Sequence, residues 1–391
     1  MNRNQQRLFY LDLIRVASAI LIVIYHFPFS LGGAVDPLHG TVNGSWGMTP
    51  VYCFFMVSGA ALFHRYGREE WLDVKTFYKK RFLSIYPLFW IAYILGFFAV
   101  YWQLGHFYDI PTWSFIWSFL GLDGWIVNWI PTFYMVGEWF LGSIIMLYLV
   151  FPLARWCWRK NRRALIFLSL AAALALFWYH PFPMDIKQNP VVDFFYFLLG
   201  AWIEDVRGRL AGQREERRTA AGRKPSGGRK PEYGKPGRTT SGKVLRSGRS
   251  GAALALWLAS IVILAIWFLV PVTKGLPTME LTISAQAWGA GMLLRQSFIL
   301  LTTCAFYVFC IGIAPYVERM KHGKKIILEI SGKTYGIFLT HHMVSQILCG
   351  HFDGPSLSTR EILAVLFLVF AVTWAVTVAI YRVEAYIKAR F

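Results

Sequence analysis

Residues 8–30 read LFYLDLIRVASAILIVIYHFPFS, and a helix of about 20 such residues crosses a hydrocarbon core ~30 Å thick. Three members of this stretch are costly in lipid: Asp12, Arg15 and His26. At ~100° per residue, the eleven steps from Arg15 to His26 make three turns plus roughly 20°, and Asp12 lies within about 60° of Arg15. All three polar groups therefore share one face, opposite Leu, Ile, Val and Ala. A single polar stripe on an apolar helix points into a protein interior or a wet cavity. The plainer alternative is an Asp12–Arg15 pair that anchors the helix at the headgroups, with His26 a polar residue at the far interface. The stretch lacks a small-residue cleavage site after a short apolar region, so it is expected to stay in the mature protein.

The rest of the chain extends this pattern. Of 391 residues, 56% are hydrophobic and 17% aromatic, which is the composition of a polytopic membrane protein and not of a soluble enzyme. Ten apolar spans are readable, at about 8–30, 47–64, 82–103, 137–154, 164–181, 190–206, 251–271, 286–316, 326–349 and 361–383. The expected fold is thus all-α, a single helix-bundle domain over residues 1–391. Trp and Tyr cluster at many span ends, as interfacial belts require.

The net charge is +19. In a soluble chain it would point to nucleic acid; its placement here gives another cause, and no nucleic-acid partner is expected. One set of loops holds Arg3, Arg7, Arg65, Arg68, Lys75, Lys79, Lys80, Arg81, Arg155, Arg159, Lys160, Arg162, Arg163, Arg319, Lys321, Lys324, Lys325, Lys388 and Arg390, with a long basic loop besides. The other set offers Lys187, Lys274 and Arg360. The positive-inside rule then puts both termini in the cytoplasm.

Two segments stand apart. Residues 104–136 have no Lys or Arg and are rich in Trp, Gly and Pro. We read them as an interfacial or re-entrant element lining an opening on the outer side, the alternative being two short extra spans. Residues 207–250 are rich in Gly, Arg, Lys, Ser and Pro and cannot bury a core, so a disordered cytoplasmic loop is expected, a topology signal and linker first and an attractor of polyanions second.

The five cysteines, Cys53, Cys157, Cys304, Cys310 and Cys349, sit singly, without CxxC or Cys/His metal spacing, so neither a metal site nor a disulfide framework is expected. No Walker loop, nucleophile elbow or dinucleotide fingerprint is found. What remains is a set of ionisable residues in or beside spans. Arg15 falls in the inner half of the first span and His26, ~27 Å along the helix from Leu8, in the outer half. Glu138 opens the fourth span from the outer side, where it could approach His26 and raise its basicity, as suits a general base; the alternative is an exposed interfacial acid. The ninth span holds Glu329, Lys333, His341 and His342 in one expected helix. Neighbouring histidines point about 100° apart, so one of the two is expected to face the site. Arg295, in the eighth span, needs an anion, either a protein carboxylate or a ligand phosphate. Lys79, Lys80 and Arg81 stand at the cytoplasmic mouth of the third span, where a phosphorylated ligand from the cytosol would meet them.

These residues carry a resemblance. The Arg15-x10-His26 pair within LDLIRVASAILIVIYHF resembles the first-helix signature of membrane acyltransferase family 3, which acetylates surface polysaccharides and related glycans. FFMVSGAALF (54–63) is similar to that family's second helix, and KKRFLSIYPLFW (79–90) to its basic entry into the third. EWFLGSIIMLYLVFP (138–152) resembles the Trp-x-Leu…Tyr-Leu…Pro helix, and SGKTYGIFLTH (331–341) the late stretch that ends in His. The matches occur in order from the first span to the ninth. Ser84 stands where the family often has a second arginine, three residues after Arg81.

The resemblance implies a membrane O-acyltransferase that takes an acyl group, acetyl in the family, from a cytosolic acyl-CoA to a hydroxyl of a membrane-associated or surface glycan, at the cell membrane. It carries Arg15, His26, Arg81 and His341. His26 would be base or transient acyl carrier, oriented by Glu138 or His341. Arg15, Arg81 and Arg295 would hold the acetyl-CoA, with Asp12 beside Arg15; Asp12, Glu138 and Arg295 rest on their placement in the spans. The alternative from another class is a transporter or flippase of glycan intermediates, with the intramembrane charges forming a path. Two related halves and matched broken helices, which that reading needs, are not found in the sequence.

Overall fold

The computed structural model describes residues 7–32, 45–106, 110–133, 138–222, 251–269 and 289–390. In chain order they form α1 (Phe9–Ser30), α2 (Met48–Tyr66), α3 (Val74–Leu104), α4 (Phe115–Leu120), α5 (Asp123–Ile126), α6 (Glu138–Trp178), α7 (Pro190–Gly222), α8 (Gly251–Leu269), α9 (Ala290–Arg319), α10 (Lys321–Ser331), α11 (Thr334–Cys349) and α12 (Thr359–Lys388). Among the described residues no strand forms, so the molecule is all-α.

Five segments are long and apolar enough to cross a membrane: Phe9–Ser30, Val74–Gln103, Trp139–Trp178, Ala290–Arg319 and Thr359–Lys388. α2, α7 and α8 coincide in position with expected spans without meeting the same measure. Side chains such as Trp102, 90% exposed, and Phe367, 75% exposed, are apolar surface that suits lipid and not water.

α1 is the hub. It packs against α2, α9, α10 and α11, while α3 and α12 flank α11, and α8 lies along α9. The tightest crossing is between α2 and α7. A Cβ built on Gly59 would stand 1.8 Å from the Phe197 carbonyl oxygen, and one on Gly200 2.0 Å from that of Met56. Absent side chains at these two points let the backbones touch, the way membrane helices gain contact where lipid gives no hydrophobic drive. Beside this seam the rings of Tyr52 and Tyr196 stack at 3.8 Å.

The expected spans at 137–154 and 164–181 correspond to the two helical arms of α6, separated at Asn161, whose backbone is non-helical (φ −155°, ψ 88°). The Asn161 side chain accepts the Ala164 N–H at 3.0 Å and so caps the second arm. Two elements differ from the sequence expectation. The expected ninth helix, 326–349, is broken after Ser331. The Ser331 hydroxyl donates to Asp12 at 2.6 Å, the Thr334 hydroxyl donates to the Ser331 carbonyl at 3.1 Å, and Gly332 between them is a poor helix former. Glu329 therefore sits on α10 and Lys333 precedes α11, so the four ionisable residues read as one helix lie on two. Finally, α7 continues to Gly222, so residues 207–222 of the expected loop are helical; residues 223–250 lie outside the described residues. The stretch 104–136 contributes the short α4 and α5 and, among its described residues, no helix of spanning length.

Candidate active site

α1 and α11 run side by side in parallel, and three rungs fix their register. Asp12 meets Ser331 at the start, His26 meets His341 in the middle, and the Ser345 hydroxyl donates to the Ser30 hydroxyl at 2.9 Å near the end. The helical period puts Asp12 and His26 on one stripe of α1, so both rungs form on the same seam.

The middle rung is a cluster of imidazoles. The His26 ring lies 5.2 Å from that of His341 and 5.0 Å from that of His342, centroid to centroid. Both neighbouring histidines thus reach the site, where the sequence reading admitted one. They straddle His26, because side chains ~100° apart on α11 can flank a ring presented between them. His341 is 4% exposed. Its Nδ1 lies 2.7 Å from the Phe338 carbonyl oxygen, which can only accept, so Nδ1 carries the proton and Nε2 presents a lone pair. Nε2 is buried and has no hydrogen-bond partner among the described residues. Nor, among those residues, does a carboxylate stand within ion-pair distance of the three rings.

The first turn of α6 comes close to this cluster. Phe140 packs on Phe338 at 4.6 Å, and Phe338 lies 5.9 Å from His341. Glu138 begins that helix, but its side chain lies outside the described residues. Among the described residues no group of three or more His, Cys, Asp or Glu is placed to hold a metal ion.

At the inner rung, Asp12 is 1% exposed and accepts from Arg7 Nε at 2.7 Å, Arg15 Nη1 at 3.4 Å and Ser331 Oγ at 2.6 Å. One carboxylate so ties α1 to the α10–α11 break and holds Arg15, whose side chain is 32% exposed. Arg81 stands on α3, one turn before Ile85, whose carbonyl accepts from Tyr335 at 3.2 Å. Its guanidinium lies over the rings of Tyr148 (5.6 Å) and Phe77 (5.9 Å), and among the described residues it has no carboxylate partner. Ser84 donates to the Arg81 carbonyl at 2.8 Å and is exposed, so it adds nothing to an anion site. Arg295 is apart from both. It lies twelve residues, ~18 Å along a helix, from Tyr307, which packs on Tyr10 near the start of α1. That level belongs to the His26 half, where Tyr52, Asp193 and Asp185 are in electrostatic reach of Arg295's neighbourhood.

Sequence reading missed several polar groups. Glu204, 6% exposed, accepts from the Tyr10 hydroxyl, from Arg207 Nε at 2.9 Å and faces His64 Nδ1 at 3.1 Å. Asp193 is wholly buried, with the Ser143 hydroxyl beside it. An acid inside PVVDFFYFLLG was the available signal for Asp193. For Glu204 the signal was weak, because an acid at the end of a span reads as a flank.

The comparisons with curated proteins and with solved structures give no match. A family model, described as an acyltransferase domain, matches residues 8–382, from the first residues of α1 into the last turns of α12. The polar seam, the imidazole cluster and the arginines all fall within that match, and the chain belongs to acyltransferase family 3.

Proposed function

We propose that this membrane acyltransferase moves an acetyl group from cytosolic acetyl-CoA to a hydroxyl of a membrane-associated or surface glycan. The observation that carries the reading is the pinned tautomer of His341, whose ring lies 5.2 Å from that of His26 and whose Nε2 has no hydrogen-bond partner among the described residues. Acyl transfer to an alcohol needs a base that is neutral and oriented before the substrate arrives. Imidazoles buried or half-buried in an apolar seam, with no carboxylate in ion-pair distance among the described residues, meet both needs.

In this reading His26 takes the proton of the acceptor hydroxyl as its oxygen attacks the thioester carbonyl. The tetrahedral intermediate collapses with the C–S bond breaking, and the imidazolium returns the proton to the departing thiolate. The products are the O-acyl ester and free coenzyme A thiol. His341 orients His26 or relays its proton, and Glu138, at the start of α6, could orient it in turn. His26 acting first as acyl carrier gives the same balance in two steps.

Both termini are cytoplasmic in this account, as the Lys/Arg asymmetry places them. Arg15, held by Asp12, and Arg81, lying over aromatic rings with no carboxylate partner among the described residues, then form the inner contacts for the donor. Arg295, level with the outer half, reaches the acyl end and not the phosphates. Family membership favours acyl transfer over the transporter alternative. The test is to incubate the purified protein with acetyl-CoA and a membrane glycan extract, following free thiol and ester together. Coupled release of thiol and formation of ester is the expected result; glycan export without thiol release would sink the reading.

A further inference from the structure

On the face that the Lys/Arg asymmetry assigns to the cytoplasm, a cavity of about 780 Å³ opens between the end of α2, the fold of α6 at Asn161 and the middle of α7. Its floor is aromatic: Phe63 and Trp158 are buried and their rings lie 4.7 Å apart. Its lining has six cations against two carboxylates, Glu204 and Asp205. Both acids are already engaged. Glu204 accepts from Tyr10 and Arg207, and Asp205 pairs with Arg162 at 3.2 Å and Arg209 at 2.8 Å.

Arg159 is likewise spent on the carbonyls of Glu69 and Glu70. Arg68, Lys160 and Arg163 remain, with no carboxylate partner among the described residues. All three are exposed at the mouth. The second arm of α6 also begins at this opening, capped by Asn161. Uncompensated guanidinium and ammonium groups around a concave, aromatic-floored site are a match for phosphate, which accepts bidentate bonds from arginine.

We propose that this cavity is a binding site for a phosphate-bearing ligand, held by Arg68, Lys160 and Arg163. Phosphate can reach it from two sources. One is the nucleotide end of an acyl-CoA, a choice that rests on the donor reading above. The other is the headgroup of an anionic lipid from the surrounding leaflet. The site is separate from the Arg15 network. Glu204 and Arg207, at the cavity wall, meet the Tyr10 side of α1, roughly 140° around the helix from Arg15.

The test uses the full chain in detergent, with coenzyme A and inorganic pyrophosphate as probes, and in discs containing phosphatidylglycerol. The triple variant Arg68→Gln, Lys160→Gln, Arg163→Gln is compared with Arg68→Lys, Arg163→Lys, which keeps the charge. Loss of about tenfold or more in affinity for pyrophosphate and coenzyme A, the size of one lost charge-assisted hydrogen bond, with recovery in the lysine variant, supports the site and assigns it to a nucleotide. Unchanged coenzyme A affinity with loss of tightly retained phosphatidylglycerol supports the site and assigns it to lipid. Unchanged binding of all three probes in a triple variant with wild-type thermal midpoint overturns the proposal. Thioester turnover by the wild-type protein is scored in parallel. Absence of turnover beside intact pyrophosphate binding would defeat the donor reading and leave the site in place.

Discussion

The two ends of the α1–α11 seam treat their polar groups in opposite ways. At the inner end the buried carboxylates are answered: Asp12 holds Arg7, Arg15 and Ser331, and nearby Glu204 holds Tyr10, His64 and Arg207. In the outer half, three imidazole rings meet with no described carboxylate among them, and His341 Nε2 has no partner among the described residues. A saturated network costs little to bury and holds geometry. An unsaturated one is expensive to bury and persists where chemistry uses it. The inner end is therefore read as framework and anchor, and the outer cluster as the reacting site.

The largest expected effect comes from breaking the framework. Asp12→Ala strips a shared buried acceptor from two arginines and a serine hydroxyl, and the three lost hydrogen bonds are worth about 1 kcal/mol each. Yield of folded protein and thermal midpoint should both fall. A variant of wild-type stability with impaired turnover would instead make Asp12 part of the reacting site and blur the contrast. Next in size is His341→Ala, expected to lose about 10²-fold in turnover, ~2.7 kcal/mol, at unchanged thermal midpoint. His342→Ala should lose less than His341→Ala, since His341 has its proton pinned on the backbone carbonyl of Phe338, whereas His342 bonds the Gln346 side chain. Equal losses would replace one oriented ring by a shared pair.

The smallest effect sharpens the inner end. Arg81→Lys keeps the charge over Phe77 and Tyr148 but loses the planar fork. Donor affinity should weaken by several-fold, roughly 1 kcal/mol of cation–π and bidentate contact, with folding intact. Calorimetry with acetyl-CoA reads this directly, and unchanged affinity would remove Arg81 from the donor contacts.

Much of this contrast is readable in the sequence because α1 obeys its period. Asp12, Arg15 and His26 are spaced for one face whatever packs against it, so the stripe and its polarity follow from position alone. What the period cannot express is partnership. Apolar residues recur from Ile326 to Leu348 on both sides of Ser331–Gly332, so the break there is hidden; it is accompanied by a contact with Asp12, more than three hundred positions away, which takes the Ser331 hydroxyl. The role of His342 was lost for a related reason. The ~100° rule separates it from His341 on α11 but says nothing of a ring on α1 placed between them. Glu204 carries no local signal because its three partners come from α1, α2 and the next turn of α7. Asn161 gave the two arms of α6 their fold, a turn that a hydropathy reading places only to within a loop.

The central claim is that His26 is the reacting imidazole of the seam. Acetyl transfer per folded molecule is to be measured in His26→Ala alongside acetyl-CoA affinity. A loss of about 10²-fold or more in the chemical step is expected, with donor affinity and thermal midpoint close to wild type, because the arginines proposed to hold the donor are not in the imidazole cluster. Turnover near wild type, or a loss fully explained by less folded protein, would contradict it.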